Sequence, residues 1–186
     1  AAGAFGLARI LRMDGEARES RNDRRAKSKM NALIMVFPYV CTILAAGCFA
    51  ALQGDRPAVW IALIAIAGVA AFAAALIAAV RNAVRGLTAK QNLTIKCVQI
   101  PAYVLNFAIA MIGVMMSVFG LPMIAWAIAI DFLSIVLTGV SAIGCGRTLY
   151  KEGKIDRTSA IWTTIGSFVY CADVVIAIVW YCKGKK

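Results

Sequence analysis

The sequence has no histidine, and this absence excludes several kinds of catalytic and metal site. Histidine is the usual general base near neutral pH and the commonest metal ligand. Six cysteines are present, but no two of them are spaced Cys-x-x-Cys, so the sequence indicates no structural zinc site. We therefore predict neither a metal site nor a cofactor, and we expect the cysteines to act as small apolar side chains.

The short motifs of the main enzyme classes are also missing. There is no Gly-x-Ser-x-Gly nucleophile elbow and no glycine-rich phosphate loop that ends in Lys-Ser or Lys-Thr. Two carboxylates stand in apolar segments, as in an intramembrane aspartyl protease, but the residues around them do not resemble that family. We therefore predict that the chain is not an enzyme.

Acidic residues are scarce, with nine Asp and Glu against 20 Lys and Arg and a formal net charge of +11. The basic residues lie on the N-terminal arm and between long apolar blocks, where the headgroups of a bilayer would meet them. No motif that reads nucleic acid accompanies this charge. We expect the partners to be the lipid bilayer, its anionic headgroups at the basic connectors, and a protein partner or a second copy of the chain, with no nucleic acid.

Hydrophobic residues are abundant, at 62% of the chain, against about 45–50% in ordinary soluble domains. They form blocks of about 20 residues, which is the length that crosses a bilayer core as a helix. The sequence therefore predicts an all-α membrane helix bundle of five transmembrane helices, with Pro38 inside the first and a turn at Gly120 and Pro122 that pairs the third with the fourth. The predicted spans cover residues 31–52, 57–80, 97–119, 121–146 and 159–182.

Residues 1–29 form a basic arm, which we predict to contain a short helix on the membrane surface followed by a solvated linker. The arm and the connectors 81–96 and 147–157 together carry sixteen of the 20 basic residues. With five spans these three segments share one side of the membrane, and positively charged segments favour the cytoplasm. The N-terminus is therefore predicted to be cytoplasmic and the C-terminus to face the opposite side.

The most informative residues are two carboxylates within apolar spans, Asp131 and Asp173. A charge at mid-bilayer costs about 2.5–3.5 kcal/mol on insertion scales, so such residues mark functional sites. Both are expected near the midplane, and no Lys or Arg is predicted at that depth, so we expect neither to have a cationic side-chain partner. Other polar residues follow them at helical spacing. The predicted ion- or solute-binding face consists of Asp131, Asp173, Asn106, Tyr103, Tyr170, Ser134 and Thr138.

Two functional hypotheses remain open at this point. Polar side chains in spans also hold helices together through hydrogen bonds, and the four-residue repeat of Ala67, Ala71, Ala75 and Ala79 is typical of close helix packing in lipid. These features favour an accessory or interaction subunit of a membrane complex. The alternative is a small proton- or cation-linked transporter or channel that uses Asp131 and Asp173.

Several short stretches in the C-terminal half add a resemblance. They are Asn92-Leu93 with Lys96, Gln99-Ile100-Pro101-Ala102-Tyr103, Asp131 with Gly139, Lys151-Glu152-Gly153-Lys154, and Asp173 with Ala177. In these residues the chain resembles small multi-pass membrane proteins of bacteria that belong to a family of unknown function. The resemblance implies a location in the bacterial inner membrane and carries no mechanism.

Overall fold

The chain folds as a bundle of α-helices, seen in a computed structural model that describes the backbone of residues 2–169 and 172–185 and the side chains of 26–48, 50–169 and 172–184. A short 3-10 helix, Ser117–Gly120, joins the third helix to the fourth. We call that end of the bundle the turn end and the opposite one, where Arg85 and Arg147 lie, the basic end. The helices are α1 (Ala2–Ala51), α2 (Pro57–Arg85), α3 (Ala89–Met115), α4 (Leu121–Lys151), α5 (Arg157–Gly166) and α6 (Ala172–Lys185).

Four helical segments are long and apolar enough to cross a membrane: Ala26–Cys48, Pro57–Arg85, Ala89–Met115 and Ser117–Lys151. This confirms the all-α class and the apolar, membrane-compatible character of the chain. The tight connection between α3 and α4 is also as predicted, because Gly113 and Gly120 bring the two backbones into direct contact.

The first helix begins earlier than the sequence predicts. One continuous helix runs from Ala2 to Ala51, in place of a short surface helix followed by a linker. Residues 16–37 contain no Gly or Pro and are rich in Ala, Arg, Lys and Glu, which are strong helix formers. The charged arm therefore continues the helix of the first apolar segment.

The third helix also begins earlier, at Ala89 instead of residue 97. Thr88 and Gln91 form a capping box, in which each side chain accepts a hydrogen bond from the other residue's backbone N–H at 3.3 Å. Only residues 86–88 link α2 to α3, so most of the predicted connector 81–96 is helical. Lys96 consequently lies about two turns inside α3.

The fifth predicted span is divided into two helices. α5 ends at Gly166, residues 167–169 form a turn, and α6 begins at Ala172. At 10 and 14 residues, α5 and α6 are about 15 and 21 Å long, short of the roughly 30 Å of a bilayer core. The prediction of a single helix over 159–182 is therefore wrong.

α5 and α6 form an antiparallel hairpin. The indole N–H of Trp180 donates to the hydroxyl of Thr163 at 3.2 Å, and nearer the tip a Cβ on Gly166 would lie 2.6 Å from Ile176. At its far end α6 reaches the start of α3, where a Cβ on Gly184 would lie 3.2 Å from that of Ala89. The hairpin thus enters the bundle from the basic end, and its second helix returns to the same end.

The start of α5 is fixed by Asp156, whose carboxylate accepts a hydrogen bond from the backbone N–H of Ser159 at 3.1 Å. Hydrogen bonds from Ser159 hold the pKa of this carboxyl below its usual value. The N-cap therefore stays charged to lower pH than a free aspartate.

α4 is the helix against which the other parts pack, and two of its glycines, Gly144 and Gly146, allow close contacts there. A Cβ on Gly144 would collide with the backbone carbonyl of Asn82 in α2. A Cβ on Gly146 would lie 2.9 Å from Thr164 of α5 and 3.3 Å from Trp180 of α6. Since α4 continues to Lys151, these glycines serve close packing and do not end the helix.

Candidate functional site: a polar column inside the bundle

A line of polar side chains follows the inward face of α3. Asn92, Lys96, Gln99 and Asn106 are each at most 1% exposed. They are spaced at four, three and seven residues, which places them on one face of a helix and over about 21 Å of its length. We call these four residues and the buried polar groups of α1, α2, α4 and α6 described below the polar column.

At the middle of the column Lys96 forms an ion pair with Asp173, and the two side chains are 1% and 6% exposed. The Lys96 ammonium also donates to the backbone carbonyl of Asp173 at 3.1 Å. The second carboxylate oxygen lies 3.4 Å from the hydroxyl of Thr138 on α4. Among the described residues this is the one ion pair with both side chains buried, and it ties the hairpin to α3.

The expectation that neither carboxylate has a cationic partner is therefore wrong for Asp173. Hydropathy alone assigned Lys96 to a connector, because a charged residue ends an apolar block. The capping box at Thr88 and Gln91 places it inside α3 instead, where its long side chain reaches α6. The sequence held a usable signal, since Asn92, Lys96, Gln99 and Asn106 all fit one helical face.

The second carboxylate, Asp131, lies nearer the turn end and has a neutral partner. Its side chain is half-buried, and the amide of Asn106 donates to it at 2.9 Å. The hydroxyl of Thr42 on α1 lies 3.5 Å from the carbonyl oxygen of the same amide. On α4, Asp131 is seven residues, or about 10 Å, from Thr138, which contacts Asp173. The prediction that both carboxylates lie near one depth is therefore wrong.

Between the two carboxylates the column contacts a proline-interrupted stretch of α1. Pro38 has no N–H, so the carbonyl of Ile34 lacks its usual helical donor. The side-chain amide of Gln99 supplies that donor at 2.8 Å. Tyr103 in turn donates to the Gln99 carbonyl oxygen at 3.3 Å.

Toward the basic end the column is less completely bonded. Asn82 of α2 donates to Asn31 of α1 at 3.0 Å. Four buried polar atoms have no hydrogen-bond partner among the described residues: Asn82 Oδ1, Asn92 Nδ2 and Ser141 Oγ toward this end, and Ser134 Oγ between Asp131 and Thr138. Buried polar groups of this kind are costly unless they are hydrated, so we expect ordered water along this part of the column.

Two cavities adjoin the column. One of about 300 Å³ lies beside Asp173 and is lined by the apolar or aromatic side chains of Ile100, Tyr103, Val104, Phe107, Ile135 and Val174. A second, of about 500 Å³, lies at the turn end between α1, α3 and α4 and includes Thr42 and Trp126 in its wall. Asp173 therefore borders one cavity, and two hydrogen bonds, through Asn106 to Thr42, connect Asp131 to the wall of the other.

Of the other predicted site residues, Ser134 and Thr138 are buried in α4 and Tyr103 is half-buried in α3, while Tyr170 lies outside the described residues. Among the described residues no three His, Cys, Asp or Glu side chains are placed to hold a metal ion. What the column holds is one paired charge, Lys96 with Asp173, and one carboxylate bonded to an amide.

The alanine repeat is divided between two environments. Ala75 and Ala79 are buried, Ala71 is half-buried and Ala67 is exposed. A four-residue repeat advances about 40° around a helix at each step, so Ala67 lies about 120° from Ala79. Toward the start of α2, Gly68 faces α1 instead, and a Cβ there would lie 3.7 Å from Leu44.

Comparison with known proteins identifies the family of this chain. Residues 27–186 match the sequence model of a family of unknown function (DUF6652), and the chain belongs to that family. The match confirms the predicted resemblance to a family without assigned function and extends it beyond the C-terminal half. No curated protein and no solved structure matches the chain.

Proposed function

We propose that this chain is a small proton- or cation-linked transport protein of the bacterial cytoplasmic membrane. In this proposal α1 to α4 span the bilayer, and α5 and α6 form a hairpin that enters from the cytoplasmic side without crossing. The observation that carries the proposal is the buried Lys96–Asp173 ion pair, located where the hairpin turns. We propose no enzymatic activity.

The proposed topology rests on helix length and on charge. α5 and α6 are each too short to cross, and α6 ends beside the start of α3, so the C-terminal residues would share the side of the N-terminal arm. Among the described residues, Arg56 is the one Lys or Arg at the turn end. Positively charged segments favour the cytoplasm, so the basic end is assigned to that side.

A charged pair in this position favours function over packing. Replacing a buried ion pair by apolar residues of similar volume is often neutral or stabilising, so packing alone does not require one. Ionisable residues inside membranes mark ion pathways and proton relays, and a non-helical turn at membrane depth is tolerated where it is buried in protein or lines a cavity. The Asp173 site has both features.

The contacts of Asp173 indicate how a cation would be handled. Its carboxylate is neutralised by Lys96 and contacted by Thr138, so an arriving proton or small cation competes with the ammonium for one carboxylate. Occupancy by that ion releases Lys96 and loosens the hairpin from α3. Asp131, with Asn106 and Thr42, provides a second carboxylate about 10 Å closer to the turn end.

The test is ion flux in proteoliposomes loaded with a pH-sensitive dye, with sodium and potassium gradients as further arms. We expect Asp173→Asn to reduce flux to the background of empty liposomes. Asp55→Asn is the matched control, because Asp55 is an exposed aspartate in the loop between α1 and α2. Asp173→Asn leaves the Lys96 ammonium buried without a partner. The double variant Lys96→Met with Asp173→Leu removes both charges together and is therefore expected to fold. Full flux in that variant would contradict the proposal.

The topology is tested separately with reporter fusions. A fluorescent protein joined after Lys186 is expected to mature, and alkaline phosphatase at the same place to remain inactive, because both would be cytoplasmic. Fusions within the loop at Gly54 should give the opposite pattern. An active phosphatase at the C-terminus would mean that the hairpin crosses the membrane.

A second candidate, an accessory subunit of a membrane complex, is favoured by the first half of α2. No side chain between Pro57 and Ala74 is buried, whereas Ala75, Ala78 and Ala79 are. That half, whose side chains are exposed or half-buried, would accept a helix of another protein. Purification in lipid nanodiscs followed by mass spectrometry tests this, because a second protein at fixed stoichiometry is expected for a subunit and is not expected for a self-sufficient transporter.

A further inference from the structure

A cavity of about 310 Å³ lies at the basic end, between the last turns of α2 and α4. It is separate from the polar column, and none of the residues discussed for transport lines it. Three of its wall residues are basic and exposed: Arg85, Arg147 and Lys151. Arg147 and Lys151 are four residues apart, so they lie on one face of α4.

The fold holds these charges together through close packing of the two helices. Gly144 lets the α4 backbone touch that of Asn82, one turn before the cavity. Beyond it, Arg147 donates to the carbonyl of Ala83 at 3.4 Å. Gly86 ends α2 with φ of 83°, in the region that favours glycine, and a Cβ there would lie 2.7 Å from the Thr148 hydroxyl. The floor of the cavity therefore requires glycine.

One acidic residue, Glu152, also lines the cavity. Its carboxylate lies 3.2 Å from the ammonium of Lys154, which offsets its charge. Arg147 and Lys151 supply the positive charge of the described wall, and the guanidinium group of Arg147 suits the oxygens of a phosphate. An anion with several equivalent oxygens is the ligand chemistry that fits.

Part of the remaining wall is apolar and exposed. Val84 lines the cavity and is 69% exposed, and Val80, one turn earlier on α2, is 47% exposed. Basic pockets between membrane helices at the cytoplasmic surface bind lipid headgroups. We propose that this cavity binds a phosphate group, that of an anionic phospholipid whose acyl chain lies along Val80 and Val84.

The test is native mass spectrometry of the delipidated protein in detergent, with phosphatidylglycerol, phosphatidylcholine or inorganic phosphate added. We expect phosphatidylglycerol to be retained in preference to the other two. Arg147→Gln with Lys151→Gln should lower its retention about tenfold, because each basic residue near a membrane surface contributes measurably to anionic lipid binding. Arg56→Gln with Lys183→Gln, which removes two exposed charges outside the cavity, is the matched control and should bind normally.

A charge-preserving variant separates loss of binding from loss of fold. Arg147→Lys with Lys151→Arg should retain phosphatidylglycerol to within about threefold, since the number of charges is unchanged. Equal retention in the neutral variant and its control would overturn the site. Retention of phosphatidylcholine as strong as that of phosphatidylglycerol would do the same for the anionic preference. Inorganic phosphate bound as tightly as the lipid would overturn the acyl-chain assignment.

Discussion

The four long helices and the α5–α6 hairpin are held by different kinds of contact. α2 and α4 meet backbone to backbone at Gly144, and α3 bonds to α1 through the neutral amide of Gln99. The hairpin is joined to α3 by a charged pair, Lys96 with Asp173. It meets α4 through side chains, with the ring of Phe168 against Gly139 and the side chains of Thr164 and Trp180 against Gly146.

Under the proposed transport function, this difference separates a fixed part from a part that would respond to an ion. Backbone contacts between helices leave no room for adjustment, since interiors are packed to crystal-like density. An ion pair can be broken by protonation or by a competing cation, and an aromatic ring can rotate. We therefore regard α1 to α4 as the frame and the hairpin as the element whose attachment depends on charge.

The largest effect is expected from separating the charged pair. Asp173→Ala leaves the Lys96 ammonium buried without a partner and should lower the free energy of unfolding by about 3–5 kcal/mol. Lys96→Met combined with Asp173→Leu should recover most of that loss. Urea unfolding in detergent micelles measures both. A double variant as unstable as the single one would mean that the pair is a structural requirement and not a switch.

The next comparison is between two glycines of α4. Gly144→Ala drives a methyl group into the Asn82 backbone and should cost about 1–3 kcal/mol or more, because the backbone of α2 must move. Gly139→Ala meets the ring of Phe168 at 2.6 Å, and the ring can turn aside, so its cost should be smaller. Gly54→Ala, with its nearest atom at 3.6 Å, is the control. Equal costs at Gly144 and Gly139 would remove the distinction between frame and hairpin.

The contact between Gln99 and α1 offers a test by rescue. Gln99→Leu leaves the carbonyl of Ile34 buried and unbonded, which should cost about 1–3 kcal/mol. Adding Pro38→Ala restores a backbone N–H that can bond that carbonyl within α1, so the double variant should be more stable than Gln99→Leu alone. Thermal unfolding of the three proteins measures this coupling. Additive effects would show that the two residues act independently.

The smallest effect is expected at Asp131. Asp131→Asn keeps an oxygen that accepts from the amide of Asn106, so stability should change by less than about 1 kcal/mol. The contrast with Asp173→Ala is the point of the measurement. A loss of stability at Asp131 as large as the loss at Asp173 would mean that the charge of the partner does not decide how much each carboxylate contributes to stability.

Part of the candidate site was accessible from the sequence, although Asn92, Lys96 and Gln99 were not among the predicted site residues. Asp131, Asp173, Asn106 and Thr138 stand at helical spacing in apolar segments, and charge in such segments is expensive enough to single them out. Lys96 was missed because a hydropathy window ends an apolar block at a charged residue. The capping pair Thr88 and Gln91 starts the helix earlier, and local capping is not visible to such a window.

The sequence by itself determined that the chain is helical and apolar enough for a membrane, because a 62% hydrophobic composition in blocks of about 20 residues allows little else. Only the tertiary structure decided that α5 and α6 fold back on each other as a hairpin. That choice depends on Phe168 fitting against Gly139, on Trp180 against Gly146 and on Lys96 reaching Asp173. Each of these contacts joins residues far apart in the chain. The spacing of residues within one segment therefore cannot predict them.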